Sequence, residues 1–187
     1  MRFAVFAFAM ALPLGVATPG QATECPTPPD HRAALSDLFA AAKQAEGEAE
    51  ARRLNTQMWE LWADAPDATA QGWLDEGMSR RESFDFAGAI AAFDALIAYC
   101  PDYAEGYNQR AFVNFIRQEY AAALPDLDRA VALQPRHTGA LTGQALTLIA
   151  LQRPAEAALA LRRALELNPW LSERHLLPSL EAGEEEL

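Results

Sequence analysis

Proline stands at Pro101, Pro135 and Pro169, at an interval of 34 residues and then 34 again. The residues around it recur in register. Ala89, Ala123 and Ala157 form one column, Phe93, Leu127 and Leu161 a second, Gly77, Ala111 and Ala145 a third. Trp73, Tyr107 and Leu141 add a large apolar column, and Phe86, Tyr120 and Pro154 another. A chain with such a period folds as stacked units, because one short unit cannot bury its own apolar face and must cover it with the next.

Each unit reads as a helical hairpin. Ala104 to Arg117 places Tyr107, Ala111 and Phe115 on one stripe at helical spacing, with Phe112 and Ile116 beside it. Gln118, Glu119 and Tyr120 make a turn, and Ala121 to Leu133 carries Leu124, Leu127 and Val131 on a second stripe. Pro135 ends the unit, since proline neither continues a helix nor favours one in the residue before it. The small residues at 111 and 123 have a packing reason: helices that cross closely leave room only for Gly or Ala, and larger side chains fill the adjacent gaps. Pro125 falls about one turn into its helix, where a missing N–H distorts the start without breaking the helix. Pro154 suits the first turn of the last repeat helix.

The pattern resembles the tetratricopeptide repeat, whose unit reads W-x2-L-G-x2-Y, then A-x3-F, then P. The first unit matches with Trp73, Gly77, Ala89, Phe93 and Pro101, and departs at Glu76 and Arg80. The second matches with Tyr107, Ala111, Ala123, Leu127, Ala130 and Pro135, the third with Leu141, Ala145, Leu148, Ala157, Leu161, Ala164 and Pro169. The resemblance covers about residues 70 to 171, in units 70–103, 104–137 and 138–171. It implies an all-α fold, a right-handed α-solenoid of helix hairpins, with helical caps at both ends.

The flanks fit that outline. Residues 31–66 read as a degenerate hairpin, Leu35, Leu38 and Phe39 on its first helix and Leu54, Met58, Leu61 and Trp62 on its second, serving as an N-terminal cap. Glu46 to Arg53 suits a solvated surface. Residues 23–30, rich in Pro and Thr, form an extended arm. In residues 172–187, Ser172 would N-cap a short helix kinked or shortened by Pro178, and Glu184 to Glu186 form a disordered acidic tail.

Residues 1–22 carry the three parts of a secretory signal peptide. Arg2 gives a positive start, Phe3 to Ala17 an uncharged apolar run, and Gly20, Gln21 and Ala22 a small-residue exit with cleavage after Ala22. The run falls short of the roughly 20 residues that a bilayer core needs, so the expectation is a periplasmic or secreted protein without a membrane anchor. Those residues hold one Arg and no acidic residue, so cleavage moves the net charge from −11 to −12. An acidic chain without a basic cluster is a poor nucleic-acid binder, because phosphates need clustered Lys and Arg.

Cys25 and Cys100 lie beyond the cleavage point. An oxidising compartment permits a bridge between them, and two cysteines allow one connectivity. The expectation is a disulfide tying the arm to a helix end, and the alternative is two unrelated thiols. His31, His137 and His175 are scattered, with no HExxH pattern, and read as surface residues. No phosphate loop, nucleophile elbow or paired-carboxylate constellation stands out. Neither catalysis, nor a metal, nor a cofactor is therefore expected.

In tetratricopeptide proteins the first helix of each repeat lines a concave groove that takes a peptide. The resemblance carries that role to Leu74 and Met78 in the first unit, with Gln71 and Asp75 beside them. In the second it falls on Asn108, Gln109, Phe112 and Phe115, with Glu105, and in the third on Thr142, Leu146 and Ile149. These positions lack the Lys and Arg with which chaperone-binding members clamp a terminal carboxylate. The alternative is that the flanking segments fill the groove. The function expected is an exported protein–protein interaction module, a scaffold or adaptor assisting assembly of an envelope complex. The other reading is a structural subunit whose apolar faces stay buried in an oligomer or larger complex.

Overall fold

The computed structural model describes residues 24–185, so the signal-peptide reading of residues 1–22 lies outside the described residues. After an arm without regular structure come α1 (Arg32–Gln44), α2 (Glu48–Trp62), α3 (Ala68–Glu82), α4 (Phe86–Tyr99), α5 (Ala104–Ile116), α6 (Tyr120–Leu133), α7 (Thr138–Ala150) and α8 (Pro154–Leu167). A 3₁₀ turn (Ser172–Leu176) leads into α9 (Leu177–Glu185). The described residues contain no strand, and no helix among them is long and apolar enough to cross a membrane.

Three hairpins, α3–α4, α5–α6 and α7–α8, stack in chain order, α4 packing on α5 and α6 on α7. The first helices α3, α5 and α7 also touch one another in sequence. They form the inner, concave layer, with α4, α6 and α8 outside. Each hairpin closes over small residues. Ala89, Ala111, Ala123 and Ala157 have no exposed surface, nor do the large residues between them, Phe93, Leu141 and Leu161. At Gly77 even a Cβ would run into the Phe93 ring. Arg110 adds a polar clip, donating to both carboxylate oxygens of Asp126 at 2.8 and 2.6 Å and to Asp94 at 2.6 Å, which joins α5 to its two neighbours. Those bonds, Asp126 first, hold the Arg110 guanidinium charged, its pKa raised above the ordinary arginine value.

The period is written in the backbone as well. Phe84, Gln118 and Gln152 have φ of 63°, 62° and 61°. Each ends a first helix with the paired bonds of a left-handed cap: at α5, Gln118 N–H donates to Phe115 O at 2.9 Å and Glu119 N–H to Asn114 O at 2.8 Å. A side chain in that conformation costs about 1 kcal/mol that glycine avoids. Gln118→Gly and Phe84→Gly should therefore each stabilise the protein by about 0.5 to 1 kcal/mol, read as a higher chemical-denaturation midpoint. Phe84 is 78 % exposed and contributes little packing that could be lost.

Pro125 lies inside an unbroken α6, and Pro154 opens α8. Ser172 is the first residue of the 3₁₀ turn, preceded by Leu171 as cap without a side-chain bond, so it does not N-cap a helix as expected. Pro178 sits in the first turn of α9, where its missing N–H is harmless, and the helix continues through Glu184 to Glu185, further than a disordered acidic tail would allow.

The larger departure concerns the N-terminal hairpin. Residues 31–66 do form α1 and α2, but they do not stack on α3 as an end cap. The hairpin instead leans across the concave side, α1 reaching α8, and its apolar cluster of Leu35, Phe39, Leu54, Met58 and Trp62 takes in Leu167 from the far end of the array. Cross-links follow the same path. Arg136 donates to Ser36 Oγ at 2.7 Å and lies 4.7 Å over the Phe39 ring, Asn168 donates to Asn55 Oδ1 at 3.4 Å, and Arg174 pairs with Glu48 at 3.0 Å. Trp73 shows the consequence. With no hairpin stacked before it, it is 41 % exposed, whereas Leu141, third in the same column, is fully buried.

Candidate functional site

Between α2 and the inner helices lies a cavity of about 870 Å³, opening on the concave face. Phe112, Phe115 and Leu146 form its apolar wall on the repeat side, and Trp59 and Trp62 face them from α2. Asn108, Gln109 and Thr142 border it too, so six of the nine groove residues carried over by repeat position come together here. The other three do not. Leu74 is fully buried in the cluster of α3 and α4 that takes in Ala65 from the α2–α3 link, and Met78 packs against the same cluster. Ile149 packs against the cluster of α8 and α9. The physical reason is the same at both ends: flanking segments cover the first and last turns of the groove and leave its centre open.

Beneath the cavity runs a chain of buried polar groups. Glu105 and His137 are each 1 % exposed and meet at 2.7 Å, His137 Nε2–H donating to Glu105 Oε2. His137 Nδ1 accepts the Ala140 N–H at 3.2 Å and so caps α7, which fixes the proton on Nε2. Gln109 Nε2 donates to Glu105 Oε1 at 2.5 Å, Asn108 Nδ2 to Glu105 Oε2 at 3.1 Å, and Arg81 donates to Gln109 Oε1. Burial, partly offset by Glu82 and Glu105, pulls the Arg81 guanidinium below the ordinary arginine value. Its carbon lies 5.0 Å over the Phe112 ring. His137 is therefore an interior cap and acceptor-holder, not the surface residue expected, and Glu105 is part of the floor rather than a free groove carboxylate.

Trp62 is gripped by two residues one repeat apart. Tyr103 O–H donates to the Trp62 carbonyl at 2.8 Å, and the His137 ring stacks on the indole with centroids 4.2 Å apart and planes 14° off parallel. Burial first, then the charges of Glu105, Asp64 and Asp75, raises the Tyr103 pKa above the ordinary phenol value, so the hydroxyl stays a donor. Tyr103 and His137 stand 34 positions apart, a column that periodicity alone could have singled out. Arg81 was legible the same way, since it precedes Phe115 by one period and Ile149 by two. Of the arginines on the inner helices, it is the one that borders the cavity.

Cys25 and Cys100 form a disulfide, their Cα atoms 5.2 Å apart and 75 positions apart in sequence. It fastens the arm ahead of α1 to the end of α4. Among the described residues no group of three or more His, Cys, Asp or Glu side chains could hold a metal ion.

The architecture defined by these elements is an α-solenoid of helix hairpins with a concave cavity. More closely, it is the tetratricopeptide fold, as the solved structures that superpose on it show. A TPR repeat-containing protein of Rhizobium etli is 31 % identical over 117 residues, covering 61 % of this chain and 56 % of that one. A tetratricopeptide repeat protein 36 homolog of Nematostella vectensis is 38 % identical over 70 residues, covering 37 % of this chain and 38 % of its own length. The aligned region thus spans about half or less of the curated relatives it matches. The first TPR domain of Spaghetti (RPAP3), solved with an HSP90 peptide, superposes with a TM-score of 0.60 at 24 % identity, over 63 % of this chain and 94 % of that domain. MamA superposes with a TM-score of 0.58 at 21 % identity, over 62 % of this chain and 64 % of its own. No family model matches the chain.

Proposed function

We propose that the protein is an exported interaction module that holds a segment of another protein in the concave cavity, assisting assembly of an envelope complex. The observation that carries this reading is the cavity itself, in which Phe112, 47 % exposed, stands with Phe115 and Leu146 opposite Trp59. A half-exposed aromatic facing other apolar side chains across a concave space suits capture of a partner's apolar residue. The solved relative with an HSP90 peptide supports a peptide as ligand, since it has the same fold. Support for export comes from the apolar run of residues 3–17 with its small-residue exit, and from a disulfide, which persists in oxidising compartments.

Phe112→Glu tests the reading. The variant should lose at least about tenfold in partner capture, because a carboxylate would have to be desolvated against the partner's apolar group. Its helicity and melting temperature should stay close to those of the parent, since the side chain is half in water. Affinity purification of parent and variant from the native host, compared by quantitative mass spectrometry, measures the first, and circular dichroism the second. Equal recovery of partners by both proteins would remove the cavity from the account.

A further inference from the structure

The chain carries a net charge of −11, yet the cavity reverses the balance: three arginines, Arg52, Arg81 and Arg174, line it against two carboxylates, Glu48 and Glu173. Arg52 and Arg174 share Glu48, at 3.4 and 3.0 Å. Arg81 has no such partner. Its side chain is 15 % exposed, and the carboxylate it pairs with, that of Glu82, lies 3.9 Å away in water, beyond hydrogen-bond reach. The acceptor it does reach is the neutral amide of Gln109. The Glu105 carboxylate behind that amide already takes three donors, from His137, Gln109 and Asn108. A guanidinium has five N–H groups to give, and a charge taken out of water without a bonded counter-charge is costly. An anion beside Arg81 relieves that cost.

The shape of the cavity decides what carries the anion. The inner helices α5 and α7 line it on one side and α2 on the facing side, and residues 168–175 border it as well. The flanks cover both ends of the groove, at Leu74 and at Ile149. A bounded space of about 870 Å³ is of the size that holds a small organic molecule. Its walls are apolar next to the cation, because the Arg81 guanidinium lies 5.0 Å over the Phe112 ring, with Phe115, Leu146 and Trp59 on the same cavity.

We propose that the cavity is a binding site for a small amphipathic acid, whose apolar body lies among Phe112, Phe115, Leu146 and Trp59 and whose anionic head bonds Arg81. This goes beyond the capture reading and does not rest on it. Arg81 stands outside the groove positions carried over from the repeat pattern, and Trp59 comes from the N-terminal hairpin, so the site belongs to this chain and not to its repeats in general. An acid in this space and a partner segment at Phe112 exclude each other.

The test is titration calorimetry on the full exported chain with its disulfide intact, with decanoate, decanol and decylammonium below their micellar concentrations. One decanoate should bind per chain, at least about tenfold more tightly than decanol, and decylammonium should not bind, because a charge-assisted bond to Arg81 is open to the acid alone. Arg81→Gln should weaken decanoate about tenfold or more and leave decanol unchanged, which also shows that the variant is folded. Leu146→Trp, which fills the cavity from α7, should abolish binding of both. The preference of the parent chain for decanoate over decanol tests the proposal without any variant. Equal binding of decanoate and decanol, several decanoates per chain, or decanoate binding that survives Arg81→Gln would each overturn it. Tighter binding of a hexapeptide with a free terminal carboxylate would overturn it in favour of a chain terminus. If decanoate does not bind while Phe112→Glu loses its cellular partner, the proposed site fails and the capture reading stands. If decanoate binds as expected and Phe112→Glu keeps its partners, the capture reading fails and the site stands.

Discussion

His137→Ala should destabilise the protein by about 3 to 5 kcal/mol, the largest effect expected of any single substitution outside the apolar core. Three losses coincide. The buried Glu105 carboxylate loses its 2.7 Å donor, and a bond to a buried charge is worth about 1.5 to 3 kcal/mol. Helix α7 loses the cap that the imidazole gives to Ala140 N–H, worth about 1 kcal/mol. The Trp62 indole loses the ring stacked on it, worth about 0.5 to 1.5 kcal/mol. Because the residual damage is an underpaired carboxylate, Glu105→Gln in the same chain should recover about 1 to 2 kcal/mol. Urea unfolding of the single and double variants measures both quantities. A cost below about 1 kcal/mol would mean that α2 is not docked on the repeats through Trp62.

Removing the disulfide, by Cys25→Ser with Cys100→Ser or by reductant, should cost about 4 kcal/mol, because the bridge closes a loop of 75 residues in the unfolded chain. The loss should be uneven. The three stacked hairpins have their own buried columns, whereas α1 and α2 are held by the arm, the Trp62 grip and a few polar contacts. Hydrogen exchange should therefore speed up first in Arg32–Trp62. An unchanged melting temperature in reductant, with exchange in that hairpin unaltered, would contradict the bracing role given to the bridge.

The repeat was legible because its columns are packing constraints. Ala123 must be small and Leu127 large wherever two helices of a hairpin cross, so the sequence repeats whatever the surroundings. Position in the array is another matter. Trp73 and Leu141 belong to one column and read alike, yet one is exposed and the other buried, because the third unit has a hairpin stacked before it and the first does not. Leu74 and Ile149 read as groove residues for the same reason and are covered by the two flanks. The path of the N-terminal hairpin was not legible at all. Its stripes show that α1 and α2 need an apolar cover, but which surface supplies it depends on complementarity across the array, as between Phe39 and Arg136, 97 positions apart in the sequence. By residue type alone His137 reads as a surface residue, whereas it is buried. Beside Tyr103, one period earlier, it belongs to a pair that meets one tryptophan.

Whether a partner lies in the cavity decides the function proposed for it. A photoreactive phenylalanine analogue at position 112, in the exported protein within its native host, tests that directly. The expected result is one dominant crosslinked partner, and no such product from the analogue placed at Phe84, which does not border the cavity. Crosslinks only to a second copy of the chain, or equal crosslinking from both positions, would contradict it.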